Sequence, residues 1–173
     1  MHTRTVKYLV LTVATAVFST AQAEDAKKPS KEEFQKLYSQ YLTEEGYRPE
    51  IDEDGDVRFK REGRTYFIYT TEQDAQYFSV VLPNIWAIES EEERSQVLAA
   101  ADAANAKAKV AKVFTVDDDV WVSIELFVAR PEDFKGVFDL AMHGLEYGAT
   151  EFVGSMRDLT SETTEPSPSA TKL

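Results

Sequence analysis

The side chains that most often carry enzymatic chemistry are scarce in this chain. It contains two histidines and no cysteine. His2 lies in an N-terminal segment that we expect to be removed, so His143 has no second histidine and no thiol as a partner for metal binding or nucleophile activation. No nucleophile-elbow pattern occurs in the sequence. We therefore predict a structural role for His143, no catalytic residues, no metal ligands and no cofactor.

Two acidic segments are the next candidates for chemistry. Asp52, Asp54 and Asp56 alternate as in a calcium loop, but the sixth and twelfth positions counted from Asp52 are valine and glycine instead of glycine and glutamate. Residues 117–119 are three consecutive aspartates. We interpret both segments as solvated hairpin turns, with weak calcium binding as the alternative. With 31 acidic residues, some carboxylate pair will always fit a hydrolase pattern, so that pattern carries little weight.

Arg58, Lys60, Arg61 and Arg64 form the most local charge feature of the sequence. One interpretation is a solvated strand surface that nearby acids neutralise. The other is a docking site for an acidic partner or for the acidic helix start of a second subunit at residues 91–93.

Several aromatic residues occupy predicted strands and could gather on the outer face of a sheet. They are Tyr66, Tyr69, Trp86, Trp121 and Phe127. A core or a dimer interface would use them as packing groups. An exposed groove would instead use them to bind an extended polypeptide.

The strand signal that organises the chain is residues 110–128, which predict two strands around the acidic turn. In the second strand five aliphatic residues alternate with Trp121, Ser123, Glu125 and Phe127. A side-chain period of two places the aliphatic set on one face, against a core. Further strands are predicted at residues 47–51, 57–61, 64–70 and 76–82. Pro83 should end the last of these or bulge it at an edge.

Three helices are predicted between and around these strands. Capping boxes at Ser30 and Ser90 start the first two helices, and Gly46 ends the first. Pro131 starts the third, which Gly148 should end or kink. The order α-β-β-β-β-α-β-β-α indicates an α+β fold, an antiparallel sheet with helices mainly on one face.

The N-terminus has the pattern of a secretory signal peptide. Arg4 and Lys7 precede an apolar run of about eleven residues, too short to span a bilayer, and small residues precede a predicted cleavage site after Ala23. We expect a signal peptide at 1–23, a polar lead-in at 24–29, one domain at 30–156 and a disordered tail at 157–173. Loss of Arg4 and Lys7 would change the net charge from −12 to −14. Such a charge disfavours nucleic acid and anionic membranes.

Several segments together resemble one known family, the YbjN-type proteins. They are residues 47–51 with the following acidic turn, 57–69, NAKAKVAKVF at 105–114, DDDVWVSIELF at 117–127 and PEDFKGVF at 131–138. The resemblance covers roughly residues 30–152. That family is associated with bacterial sensory transduction and is similar in fold to type III secretion chaperones, which dimerise and hold segments of other polypeptides. The resemblance implies a chaperone-like fold and supplies no catalytic residues, whereas the export signal departs from the many relatives that look cytoplasmic.

These observations predict an exported, non-enzymatic interaction module, periplasmic or secreted. It would bind another polypeptide or form a homodimer, with no nucleic-acid partner and no membrane insertion after signal cleavage. The partner-binding residues would be drawn from the basic and aromatic sets: Arg58, Lys60, Arg61, Arg64, Tyr66, Trp121 and Phe127. The alternative is a periplasmic sensor domain for a small ligand or calcium.

Overall fold

A computed structural model describes residues 28–164, with side chains described for 28–161. The predicted signal peptide, residues 24–27 of the lead-in and residues 165–173 of the predicted tail lie outside the described residues. The elements are α1 (Lys31–Glu44), β1 (Glu50–Ile51), β2 (Val57–Arg61), β3 (Arg64–Ile68), β4 (Tyr77–Ala87), α2 (Glu91–Lys107), β5 (Ala111–Val116), β6 (Asp119–Phe127), a short 3₁₀ helix (Pro131–Gly136) and α3 (Phe138–Thr164). The α+β class and the predicted order of helices and strands are confirmed.

The strands form one antiparallel sheet of six strands in the order β1-β2-β3-β4-β6-β5. Neighbours in sequence are neighbours in space except at β5, which lies outside β6. The two-residue turn Glu62-Gly63 joins β2 to β3 and sets Arg61 opposite Arg64. β3 pairs with β4 only at Phe67–Val81 and Ile68–Val80. The two strands therefore separate toward the start of β3.

The helices cover one face of the sheet. α3 lies across β4, β5 and β6, α1 packs against β2, and α2 packs against α3 and β5. Buried aromatic rings join α1 to the 3₁₀ helix, with Phe134 lying 4.9 Å from Tyr38 and 5.0 Å from Tyr41 between ring centres. α2 contributes alanines to the core, as its composition predicts. Within residues 28–164, no helix combines the length and the apolar composition that a membrane crossing requires.

Helix α1 begins at the predicted capping box. The Ser30 hydroxyl accepts from the Glu33 amide, and the Glu33 carboxylate accepts from the Ser30 amide at 2.7 Å. At α2 only half of the predicted box forms. The Glu93 amide donates to Ser90, but the Glu93 carboxylate accepts from the Glu89 amide at 2.7 Å and from the Trp86 indole at 2.8 Å. The Trp86 side chain therefore lies on the helix side of the sheet and ties α2 to β4.

Strand β4 continues beyond residue 82, to Ala87. It passes through Pro83 with a bulge, because the register with β6 shifts between Leu82 and Trp86. Asn84 takes a left-handed backbone conformation with φ of 55° in this bulge. Pro83 lies past the last β3–β4 pair, so its missing N–H costs no hydrogen bond to β3. Of the two outcomes predicted for Pro83, the bulge is the one observed.

The C-terminal helix differs from prediction in three respects. Pro131 starts a 3₁₀ turn, and the α-helix proper begins at Phe138. α3 continues through Gly148, where a Cβ would lie 2.6 Å from the Cβ of Ala111. The glycine therefore allows close approach to β5 instead of ending the helix. α3 also extends to Thr164, so residues 157–164 of the predicted disordered tail are helical, and Leu159 packs against the core.

Candidate functional site

The face of the sheet that carries no helix is the candidate site, and we call it the outer face. Strand register decides which side chains lie there. Val81 is opposite Ser123, and Tyr77 is opposite Phe127, and all four alternate with residues that point into the helix-covered core. The outer face is therefore the side of the sheet with no partner from within the described chain.

Aromatic side chains dominate this outer face. They come from four neighbouring strands and the loop after β3: Phe67, Tyr69, Tyr77, Phe114, Trp121 and Phe127. The rings of Tyr77 and Phe127 lie 6.0 Å apart, and those of Phe114 and Trp121 lie 6.5 Å apart. The Phe127 side chain is 73% exposed. Aromatic surfaces of this kind favour binding of apolar groups with little loss of side-chain entropy.

A polar centre lies between the two ring pairs. The Glu125 carboxylate contacts Lys112 Nζ at 2.5 Å and accepts from the Ser123 hydroxyl at 2.8 Å. Partial burial opposes ionisation of Glu125, but the bonds from Lys112 and Ser123 prevail and lower its pKa. Burial raises the pKa of Tyr77, whose hydroxyl lies beside Ser79 and Glu125. Glu125 is thus held ionised and neutralised, which leaves a face of aromatic rings around an internally paired centre.

The indole N–H of Trp121 is one of two outer-face polar groups, with the Ser79 hydroxyl, that are buried without a hydrogen-bond partner among the described residues. Trp121 lies opposite the β4 bulge, where three residues between Leu82 and Trp86 face this one residue of β6. A buried donor without an acceptor costs about 1–3 kcal/mol. Bulges often reorient side chains next to functional sites.

The structure brings together only part of the predicted aromatic set. Trp121 and Phe127 lie on the outer face as predicted, with one ring pair each. Tyr66 does not, because it alternates with Phe67 and is buried on the helix side, stacked on Phe59 at 5.4 Å between ring centres. Tyr66 is therefore a core residue, which is one of the two uses that the sequence allowed for these aromatics, and it is not accessible on the outer face.

The predicted basic hairpin is divided between the two faces. Arg58 and Lys60 point to the outer side, whereas Arg61 and Arg64 follow the alternation of the core residues. Arg61 contacts Glu146 of α3 at 3.6 Å, across the helix side. The four cations therefore do not form one surface, because hairpin strands alternate their side chains.

Sequence reasoning missed Arg48, which the structure places in one pocket with Arg58 and Lys60. Strand register could have placed Arg48 beside Lys60. Since Glu50 is opposite Arg58, extending the same antiparallel register places Arg48 level with Lys60.

The carboxylates of the acidic turns are already bonded to groups within the described chain. Asp52 accepts from the Asp56 amide at 2.8 Å, and Asp56 accepts from the Thr70 amide at 2.7 Å. In the second turn Asp118 pairs with Arg94 of α2. Within residues 28–164, no group of three or more His, Asp or Glu side chains is placed to hold a metal ion. The His143 ring contacts the Asp139 carbonyl at 2.8 Å on the exposed side of α3.

Comparisons with known proteins agree on the type of domain. A family model described as T3SS (YopN, CesT) and YbjN peptide-binding chaperone 1 matches residues 32–135. No curated protein matches the sequence. Among solved structures, YbjN from E. coli, described as a candidate transcription regulator, is 14% identical with a TM-score of 0.52, covering 76% of this chain and 94% of YbjN. An uncharacterised protein from Methanothermobacter thermautotrophicus is 12% identical with a TM-score of 0.51, covering 73% and 98%. At these identities the two structures show similarity of fold alone.

Proposed function

The chain belongs to the family of T3SS and YbjN peptide-binding chaperones, and from this premise we propose that it is a non-enzymatic module that binds an extended polypeptide segment on its outer face. The observation that carries the proposal is the Trp121 indole N–H on this aromatic face, which is buried and has no acceptor among residues 28–164. A peptide carbonyl over Trp121 would complete this hydrogen bond once the indole ring turns to expose its N–H on binding. The proposal therefore explains why the outer face retains a costly unpaired donor.

The two ring pairs supply the apolar part of the binding surface. Trp121 and Phe127 are six residues apart on one strand, so they are separated by about 20 Å. A segment that lies across the face would place apolar side chains on both ring pairs and its polar backbone over the centre at Glu125. Alternate side chains of an extended peptide point in one direction, which matches such spaced contacts.

A polypeptide ligand is favoured here over a small ligand or calcium. The Asp52 carboxylate already accepts from the Asp56 amide in its own turn, and the Asp56 carboxylate already accepts from the Thr70 amide after β3. The outer face, in contrast, is broad and carries its exposed apolar group at Phe127. These features support a macromolecular surface rather than a closed ligand cavity.

Peptide binding can be measured by fluorescence anisotropy. The probe is a fluorescein-labelled peptide of about twelve residues that alternates Val and Thr, with a proline-interrupted version as a negative probe. Trp121→Phe keeps an aromatic ring but removes the N–H, and we expect the affinity to fall about tenfold. Phe127→Ser removes an exposed ring, and we expect a similar loss.

The chain offers a matched control for the second variant. Leu140 on α3 is 72% exposed, close to the 73% of Phe127, but it lies on the helix side. Leu140→Ser should leave peptide affinity unchanged. Two results would show that the outer face is not the binding surface. Either the wild type does not bind the alternating peptide, or Trp121→Phe and Phe127→Ser bind that peptide as tightly as Leu140→Ser does. Sedimentation of the same variants tests the other occupant, a second copy, because a dimer through this face would dissociate in them.

We also propose that the mature chain is exported, and is periplasmic or secreted. The support is the pattern of residues 1–23, a basic start, an apolar run and a small-residue site before Glu24. Expression of the full chain should yield, in the envelope or medium fraction, a protein whose intact mass corresponds to a start at Glu24. Val13→Arg interrupts the apolar run and should retain the full-length chain in the cytoplasm. A full-length wild-type chain found in the cytoplasm would contradict export.

A further inference from the structure

A pocket with a volume of about 660 Å³ opens at the β2 edge of the sheet. We call it the edge pocket, and its wall residues include Tyr47, Arg48, Glu50, Arg58 and Lys60. The segment after α1 forms one wall. Gly46 ends α1 with φ of 87°, and the Tyr47 amide bonds back to the Leu42 carbonyl at 2.8 Å, a Schellman arrangement that fixes this wall.

The charge of the edge pocket is opposite to that of the whole chain. Three cationic side chains and the single carboxylate of Glu50 line it, whereas the chain carries a net charge of −12. Glu50 is already paired with Arg58, at 2.5 Å. Arg48 and Lys60 are exposed, and neither makes an ion pair with any residue in the described part of the chain. The charges of Arg48 and Lys60 are therefore available to bind an anionic ligand.

The backbone of β2 is also open at this pocket. Along the β1 side, the Asp56 carbonyl accepts from the Asp52 amide at 3.0 Å. The next alternate residue, Arg58, pairs with Glu50. Lys60 is next in the alternation, but β1 begins at Glu50 and offers it no partner. The N–H and C=O of Lys60 therefore face the pocket as a free sheet edge.

We propose that the edge pocket binds the carboxylates of an extended, acidic segment of the polypeptide ligand. The segment would pair with the free backbone of Lys60 and place its acidic side chains against Arg48 and Lys60. This inference rests on the proposed peptide binding and adds a ligand class to it. Because Arg58 and Lys60 also belong to the outer side of β2, one peptide can cross the aromatic face and end in this pocket.

The test compares two fluorescein-labelled peptides that share the alternating Val-Thr core. One ends in a run of glutamates and its twin ends in the same run of glutamines. We expect the wild type to bind the acidic peptide about tenfold more tightly at low salt, with the preference shrinking as salt screens the ion pairs. Arg48→Glu with Lys60→Glu should abolish the preference while leaving affinity for the glutamine twin unchanged.

Lys109 gives a matched control, since it is exposed and lies before β5 at the opposite edge of the sheet. Two outcomes would overturn the inference alone: equal affinity of the wild type for both peptides, or loss of the preference in Lys109→Glu as well. A wild type that binds neither peptide would overturn the proposed function together with the inference. If inorganic phosphate at matched ionic strength displaces the acidic peptide and raises the unfolding midpoint, the pocket takes a free anion, and the peptide assignment is wrong.

Discussion

The Asn105 side chain completes the hydrogen bonding of an edge strand. Its amide nitrogen donates to the Val113 carbonyl at 3.0 Å, and its amide oxygen accepts from the Val113 N–H at 2.8 Å. One side chain thus occupies the position that a neighbouring strand would take beside β5. Since β5 is the outermost strand on that side, Asn105 blocks strand addition there.

We predict that Asn105→Ala lowers the free energy of unfolding by about 1–3 kcal/mol, because both backbone groups of Val113 lose their partner. Asn105→Asp should cost at least as much, since a carboxylate oxygen would then face the Val113 carbonyl. Urea denaturation followed by circular dichroism measures both effects. Asp102→Ala is the control on an exposed position of the same helix. Unchanged stability of Asn105→Ala would show that this contact is not needed to hold the β5 edge.

Single residues also show what the sequence could and could not predict about the site. Alternation along β6 placed Trp121 and Phe127 together on the face opposite the aliphatic core residues. The same alternation, applied to the hairpin, would have separated Arg61 from Lys60 and Tyr66 from Phe67. Grouping by charge and by ring type ignored that period. The unpaired indole of Trp121 could not be predicted, since it depends on the bulge in β4, a different strand.

At the scale of elements, local signals were reliable and non-local ones were not. The capping box at Ser30 and the two-residue turn at Glu62-Gly63 depend on neighbours in sequence, and both form. The course of β4 past Pro83 depends on β3 diverging before it, which no local pattern reports. The extension of α3 beyond residue 156 depends on packing of Leu159 against the core. Composition alone suggested disorder there.

The two faces of the sheet have different roles. The helix side contains the aromatic core, where Gly148 lets α3 lie close on β5. The outer face and the edge pocket carry the features that the core does not use: an exposed ring at Phe127, and an indole donor and two cations that have no partner among the described residues. The separation means that exposed positions of the outer face, such as Phe127, can be mutated with little loss of stability, whereas buried ones such as Val81 cannot.

For the whole molecule, the ionisable groups define a pH window of stability. Hydrogen bonds from the Glu89 amide and the Trp86 indole lower the pKa of Glu93, and bonds to Lys112 and Ser123 lower that of Glu125 despite its burial. Groups with lowered folded pKa stabilise the protein above their ordinary pKa of 4.5, and this contribution is lost as the pH falls below it. At the other limit, burial raises the pKa of Tyr41 from 10.0 to about 12. A raised phenol pKa stabilises the fold fully below pH 10, and this contribution is lost as the pH rises through the folded value.

We therefore predict a plateau in the thermal unfolding midpoint between about pH 5 and pH 9.5, with a fall on each side. Thermal scans of the mature chain by circular dichroism, at constant ionic strength, would measure it. Tyr41→Phe keeps the ring contacts with Phe134 and Phe138 but removes the ionisable hydroxyl, so the alkaline fall should be shallower; its onset stays near pH 10 because burial also raises the pKa of other tyrosines, such as Tyr38. The fall of the unfolding midpoint at acidic pH should be the same in this variant as in the wild type. An alkaline limb that is identical in wild type and Tyr41→Phe would mean that ionisation of this buried tyrosine does not limit the fold at high pH.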